Sequence, residues 1–328
     1  MLASTEFARV GNWVFGNGLR DHDAQNLFRC IATELSRFGS SMSLVARLDQ
    51  YYPHPRCVAP YQAARKRAFE RRQVAPSTSV IVSALQDPQA EFDVQVMAAT
   101  SDSGLAPEEI GAGLNRPESS GYAPCLRVGD LVFVAGQLAR DGSGALAARG
   151  TAAETDYIFR RRLLPALEAA DSGPDLVLKA QVYLSASPSR FYPVWENLFE
   201  GQAPPTTVVA LRHPAFLTPE ATVEVNLIAA RRSARSRVRR IERGDARARM
   251  LDGLLLVGGL DGADLEEVVE KARPVFAEAG TDLSNAVRAL VFHAGRRGIA
   301  EAKLPFRFTA VEVQAGLTVD LWGYAPQP

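Results

Sequence analysis

The chain has 328 residues, 37 basic and 37 acidic, no formal net charge, and 47% apolar residues. Its length permits two or three domains, and its composition is that of ordinary globular protein. A global charge attraction to nucleic acid and a chain too polar to bury a core are both excluded.

The N-terminus MLASTEFARVGNWVFGNGL shows no basic-then-apolar leader ending in small residues, and no apolar run approaches membrane-spanning length, so a cytoplasmic location is expected. Cys30, Cys57 and Cys125 are odd in number and form no CxxC pair. His22, His54, His213 and His293 are scattered without metal-ligand spacing. No disulfide framework, structural metal or cofactor is implied.

In chain order, a strand-like opening WVFGNGL at 13–19 leads to a helix-period segment with Leu27, Ile31, Leu35 and Phe38 on one face. A turn at Gly39, a strand SLVARLDQYY and a helix YQAARKRAFE follow, then two β-prone runs in VAPSTSVIVSALQDPQAEFDVQVMAA. The order then recurs. LVFVAGQL at 131–138 precedes a helix opened by Thr151 and Glu154 at capping-box spacing, with Ile158, Leu163, Leu164 and Leu167 apolar and Pro165 expected to weaken or bend it. Gly173, LVLKAQVYL, RFYPVWENLF and QAPPTTVVALRHPAFLTPEATVEVNLIAA complete that unit. A third begins with LLLVGGL at 254–260 and a helix bearing Leu265, Val268, Val269, Ala272, Val275 and Phe276. Gly280, AVRALVFHA, a shrunken helix near GIAEA, and AKLPFRFTAVEVQAGLTVDLWGYAP end it. The chain thus reads as three α+β repeats, 1–105, 106–235 and 236–328.

Strand alternation points the apolar sides of ATVEVNLI and LTVDLW toward the helices and sends Asp93, Glu224 and Asp320 to the opposite face. Before each of these strands stands a proline-led strand. The third copy alone carries an arginine there, Arg307, where the others have Ser77 and Thr206. Arginine offers a planar, permanently charged fork matched to a carboxylate, whereas serine and threonine offer only a hydroxyl.

The second unit resembles the RidA/YjgF family of imine and enamine deaminases over its whole length: GYAPCLRVGDLVFVAGQL, LVLKAQVYL, RFYPVWENLF, APPTTVVAL and ATVEVNLIAA. The first and third units resemble it more weakly. Members are usually one unit long and form homotrimers with a chorismate-mutase-like fold, sheets around a central barrel and helices outside. The resemblance therefore implies that three units in one chain form an intramolecular pseudo-trimer, a monomer that could dimerise further. It places the site between neighbouring units, with an arginine in P-x-R-[TS] holding the substrate carboxylate, an acid orienting water for attack on a C=N carbon, a tyrosine in G-P-Y, and backbone near an S-G-Q turn. Carried onto this sequence, these are Arg307, with Asp320 standing where the family has glutamate; Glu224 in the second copy; Tyr122, without its preceding proline; and Gly136 and Gln137. The expected ligand is a small carboxylate-bearing imine or enamine, at one main cleft built around the third unit.

Other readings stay open. A chorismate-hydrolysing enzyme of the same architecture would also use an arginine anchor and a carboxylate, and a non-catalytic binding or scaffold protein fits the loss of two arginines. The basic run RRSARSRVRRIERGDARAR at 231–249 could meet RNA phosphates, as in relatives called endoribonucleases. It has no interleaved aromatics and is broken by Glu242 and Asp245, so a solvated linker plus an edge strand is the expectation there, and nucleic acid is not the expected partner.

Overall fold

The computed structural model describes residues 7–70, 75–111, 121–295, 299 and 304–326. Their strands form three mixed sheets. The first contains β1 (Phe7–Val10), β2 (Trp13–Asp21), β3 (Val45–Tyr52), β4 (Ser77–Ile81) and β6 (Phe92–Ala99), in the order β1-β2-β6-β3-β4. The short β5 (Ala84–Leu85) leaves for the third sheet. The second contains β7 (Pro107–Glu109), β8 (Cys125–Val128), β9 (Leu131–Gln137), β10 (Val177–Leu184), β11 (Thr206–Ala210) and β12 (Val223–Ala230). The third contains β13 (Arg239–Arg243), β14 (Ala246–Leu251), β15 (Leu254–Gly258), β16 (Ala286–His293), β17 (Thr309–Glu312) and β18 (Leu317–Tyr324). The order β8-β9-β12-β10-β11 and the order β14-β15-β18-β16-β17 repeat that of the first sheet. In all three only the last pair is parallel.

Each sheet buries one face under helices: α1 (Ala24–Arg37) and α2 (Val58–Ala68) on the first, α3 (Thr151–Ile158), α4 (Leu164–Ala169) and α5 (Tyr192–Leu198) on the second, and α6 (Leu265–Ala279) on the third. The alternation read from the sequence sets this. Val94 and Val96, Val225 and Leu227, and Val319 and Leu321 face the helices. The third unit's short helix expected near 298–302 lies outside the described residues apart from Ile299.

Two local expectations change. Thr151 does not cap α3; Gly150 is the cap residue, and Glu154 completes half of the box by accepting from the Gly150 N–H at 3.0 Å. Ahead of Pro165 the helix does not kink but widens into a π-helical turn, Phe159–Leu163, in which Leu164 N–H donates to Phe159 O. Proline cannot donate to the carbonyl one turn back, and inserting one residue into the turn accommodates the missing bond.

The central barrel that the resemblance implies is not found: the described strands leave three open sheets, whose inner faces pack on one another through side chains. Main-chain contact between sheets is sparse, as in Ile81 N–H to Ala215 O at 3.0 Å, Gly259 N–H to Thr206 O at 3.1 Å and the β5–β17 pairing. One end of this shared interior is aromatic: Tyr51, Tyr183 and Phe292 have mutual ring separations of 5.8 to 6.5 Å, and the two tyrosine hydroxyls lie 2.9 Å apart.

The centre is ionic. A bulge near the start of β3, β10 and β16 sets a common register, placing Arg47 opposite Met97, Lys179 opposite Ile228 and Arg288 opposite Trp322. Each cation reaches into the next sheet. Arg47 Nη2 donates to Gln181 at 2.5 Å and Asn226 at 2.7 Å, Lys179 Nζ lies 3.1 Å from Asp320, and Arg288 Nη1 donates to Asp49 at 2.8 Å. Arg288 also stacks 4.5 Å above Trp322. Burial opposes the charge on Asp320, but Lys179 and Arg288 hold its carboxyl below the usual carboxylate range.

Replacing Arg288 by methionine strips a partner from two buried carboxylates, Asp49 and Asp320, and is expected to cost on the order of 3–5 kcal/mol in urea denaturation. Arg160→Ala, which removes an exposed pair with Asp156, should stay within about 1 kcal/mol. Equal effects would show that the interior ring does not hold the sheets together.

Candidate functional site

The three sheets meet at three clefts, and the register identifies equivalent positions in each. Tyr51, Tyr183 and Phe292 pair with Asp93, Glu224 and Thr318. Asp93 and Glu224 are therefore equivalent, and threonine takes that position in the third sheet. Asp320 stands two residues farther on, matching Gln95 and Asn226, in the interior ring. The sequence reading aligned it by its strand's single acid; the bulge supplies the true register. The parallel strands give the second offset: Asp49, Gln181 and Leu290 pair with Thr78, Thr207 and Thr309. Phe308, not Arg307, thus matches Ser77 and Thr206, and Arg307 is exposed.

The clefts differ. Between the third and first sheets, Arg20 Nε bonds Asp93 at 2.7 Å and its Nη2 bonds Gln86 at 2.8 Å and also Thr309. The acid there is fully buried under its own arginine. Between the second and third sheets, Thr206 O accepts from Gly259 N–H, Trp195 Nε1 donates to Thr206 Oγ1 at 3.1 Å, and a Cβ at Gly258 would run into the Thr206 backbone. That cleft is packed shut by main chain.

Beside the cleft between the first and second sheets lies a cavity of about 410 Å³, whose described lining, Tyr122, Gly136, Gln137, Arg140 and Arg162 among others, comes from residues 122–162. Ala135 and Gly136 form a bulge, since Val225 pairs with Gln137 but Leu227 with Val134. Bulges re-aim side chains beside active sites. Here the bulge brings Gly136 against Glu224, whose Oε1 occupies the space any Cβ at Gly136 would need. Glu224 is 6% exposed. Burial pushes its carboxyl up to about 8, against the opposing pull of Arg140 and a hydrogen bond from the Ser79 backbone. Burial, and then Glu224, raise Tyr122 as well. Gln137 Oε1 accepts from Arg162 Nε at 3.1 Å, and its Nε2 donates to Ala135 O.

The structure thus brings Tyr122, Gly136, Gln137 and Glu224 together and leaves Arg307 and Asp320 elsewhere. Three arginines that the sequence reading passed over stand near this cleft. Arg65 of α2 donates to Ser77 Oγ at 2.8 Å and lies 5.8 Å from the Tyr122 ring, supplying a guanidinium beside the position that lacks one. Arg140 follows β9 and bonds Thr218; Arg162 comes from the π-helical turn. Arg65 was hidden in the run ARKRA, which looks like a solvated face. Pro165 was the one sequence signal that the helix carrying Arg162 departs from regular spacing.

Elsewhere, the basic run is largely neutralised: Arg231 and Arg232 meet Asp171, Arg235 meets Asp175, Arg237 meets Asp130 and Asp252, Arg243 meets Glu278 and Arg247 meets Glu196. Among the described residues no cluster of three histidine, cysteine, aspartate or glutamate side chains could hold a metal ion, and no helix is long and apolar enough to cross a membrane.

Residues 114–231 match the family model Ribonuc_L-PSP, described as endoribonuclease L-PSP, over the segment in which the sequence resembles the RidA/YjgF family. A search of curated proteins gave no match. Among solved structures, YEO7 of yeast is 22% identical over 39% of this chain and 100% of its own, with a TM-score of 0.35. A member of the YjgF protein family from Neisseria meningitidis is 22% identical over 38% of this chain and 95% of its own, TM-score 0.32. A chorismatase is 14% identical over 68% of this chain and 76% of its own, TM-score 0.50, a likeness of fold.

The raised carboxyl of Glu224 has a stability consequence of definite sign. From the ordinary 4.5 up to about 8, the folded state keeps a proton that the unfolded chain releases, so this group lowers stability as pH rises across that window. Glu224→Gln has no proton to keep. Its stability relative to the natural chain should be level below pH ~4.5, climb to pH ~8 and flatten, with an upper bound of about 5 kcal/mol. Urea denaturation at pH 5 and pH 8 checks it; parallel pH profiles would mean an ordinary, solvated carboxylate.

Proposed function

We propose that this chain hydrolyses a small carboxylate-bearing imine or enamine in the cleft between its first and second sheets, with Glu224 handling the proton of the attacking water. The observation that carries the reading is a cavity lined by Tyr122 and the Gly136–Gln137 bulge with buried Glu224 directly behind Gly136, while the equivalent acid Asp93 is consumed by Arg20 and the third position is threonine. In ionised form Glu224 takes a proton from water as its oxygen adds to the C=N carbon. That proton passes to the nitrogen, giving a carbinolamine; the hydroxyl proton then goes to the amine as the oxygen forms C=O, the C–N bond breaks, and ammonia and a carbonyl compound result. A carboxyl near 8 suits this exchange, because it accepts and returns a proton at ordinary pH. Tyr122 and the arginines hold the substrate, and the walls exclude bulk water.

The same reading takes the chain as three tandem repeats, divided near 105 and 235, that make internally the trimer single-repeat relatives make from three chains. The recurring strand order and the cyclic contacts of Arg47, Lys179 and Arg288 support it. Light scattering should then give the mass of one chain, or a dimer of it; a homotrimer of the full chain would overturn this part. The fold likeness to a chorismatase makes pyruvate release from chorismate the second reading.

Ammonia release from 2-aminoacrylate or its imine, set beside pyruvate release from chorismate, separates the two chemistries. In either, Glu224→Gln should lower kcat by about 10²–10⁴ with KM changed only a few-fold. The natural chain's kcat/KM should rise with pH through an apparent pKa near 8. Arg307→Ala should keep activity within about two-fold, being outside this cleft. Full activity in Glu224→Gln would remove the site from this cleft.

A further inference from the structure

Arg140 and Arg162 both line the cavity, and among the described residues neither has a carboxylate within ion-pairing distance. The contrast with the rest of the chain is sharp. Arg20 in the equivalent cleft is spent on Asp93, and arginines of the basic run are tied to aspartates and glutamates. Arg140 uses Nη2 on Thr218, and its buried Nε has no partner. Arg162 uses only Nε, on the neutral Gln137 amide. Burial lowers the pKa of Arg162, and the nearby Arg140 pushes the same way, so the two charges repel across the site.

The π-helical turn puts Arg162 there. In an unbroken helix, residues four apart share a face, and Arg162 would follow Ile158 into the apolar core. The extra residue in Phe159–Leu163 keeps Ile158, Phe159 and Leu163 in the core and leaves Arg162 half-buried on the cavity wall. Such turns recur at functional sites.

We infer that Arg140 and Arg162 are a two-arginine clamp for a substrate carrying two negative charges, a dicarboxylate or a phosphate monoester, in place of a single arginine reaching across the cleft. The inference rests on the hydrolase reading of this cleft and names its ligand. The charge balance supports it. Glu224 is largely protonated at neutral pH and does not offset the arginines. Asp141, half-buried, also lines the cavity; its Oδ1 accepts from Ser143 and Ala145, and hydrogen bonds from Ser143 hold its carboxyl low. The wall keeps two positive charges with no carboxylate in ion-pairing contact, which a monoanion answers only in part.

Calorimetric titration of the full chain with succinate, methyl phosphate and propionate tests the clamp, beside Arg140→Gln, Arg162→Gln, Arg162→Lys and the exposed control Arg160→Gln. Succinate or methyl phosphate should bind at least ~10-fold more tightly than propionate; which of them does so names the source of the charge. Each Arg→Gln change should erase most of that preference while shifting propionate no more than ~3-fold. Arg162→Lys, which keeps charge but loses the fork, should fall between, and Arg160→Gln should match the natural chain. Equal binding of all three probes, or a preference that survives Arg162→Gln, overturns the clamp. Turnover of a monocarboxylate imine that still depends on Glu224 would leave the hydrolase reading standing while the clamp fell. Loss of both binding and Glu224-dependent turnover would remove the two together.

Discussion

The structure depends on one buried arrangement: three cations at the same strand position in three sheets, each extended into the sheet beside it. Arg47, Lys179 and Arg288 are each 4% exposed or less, and so are their acceptors Asp49, Gln181, Asn226 and Asp320. Charges removed from water are costly unless paired, and the ion pairs of Arg47 with Asp49, Lys179 with Asp320 and Arg288 with both acids allow few relative placements of the sheets. A hydrophobic interior would accept small slips; a ring of directed bonds does not. With few main-chain bonds joining the sheets, the ring and the aromatic cluster of Tyr51, Tyr183 and Phe292 fix how the clefts line up.

Around that common centre the clefts have taken three courses. One holds an internal ion pair, Arg20 with Asp93, and one is closed by the Gly259–Thr206 backbone bond. The third keeps a cavity beside a buried acid. Burial, only partly offset by Arg140, pushes the Glu224 carboxyl up to about 8, in the range where proton exchange is useful. Asymmetry at the clefts and near-symmetry at the centre are compatible because they use opposite faces of the same local rule: strand alternation sends one set of side chains inward at fixed intervals, and each position is free to differ.

The glycine bulge and the π-helical turn do related work. Each adds one residue to a regular element, and each changes what points at the cavity: the first clears space for the Glu224 carboxylate at Gly136, the second keeps Arg162 out of the core. Neither departure weakens the element around it, because Val134 and Leu227, or Phe159 and Leu163, remain packed.

The sequence by itself determined the recurring order of elements and the helix-facing sides of the strands, which follow from periodicities of two and 3.6. Tyr122, Gly136, Gln137 and Glu224 came from the family resemblance, which set the main cleft instead around Arg307 in the third unit. Only the tertiary structure decided which acids are equivalent, because a bulge of one residue moves the register without leaving a mark in composition; Asp320 thereby went to the interior ring and Thr318 to the acid's place. Arg307 follows Pro305 by two residues, whereas Ser77 and Thr206 directly follow Pro76 and Pro205, and it falls one step off their position. Arg65, Arg140 and Arg162 were unreadable as a group, since they come from separated segments and meet only where two sheets pack. Local pattern records what each strand and helix buries; which cleft stays open depends on contacts between segments far apart in the chain.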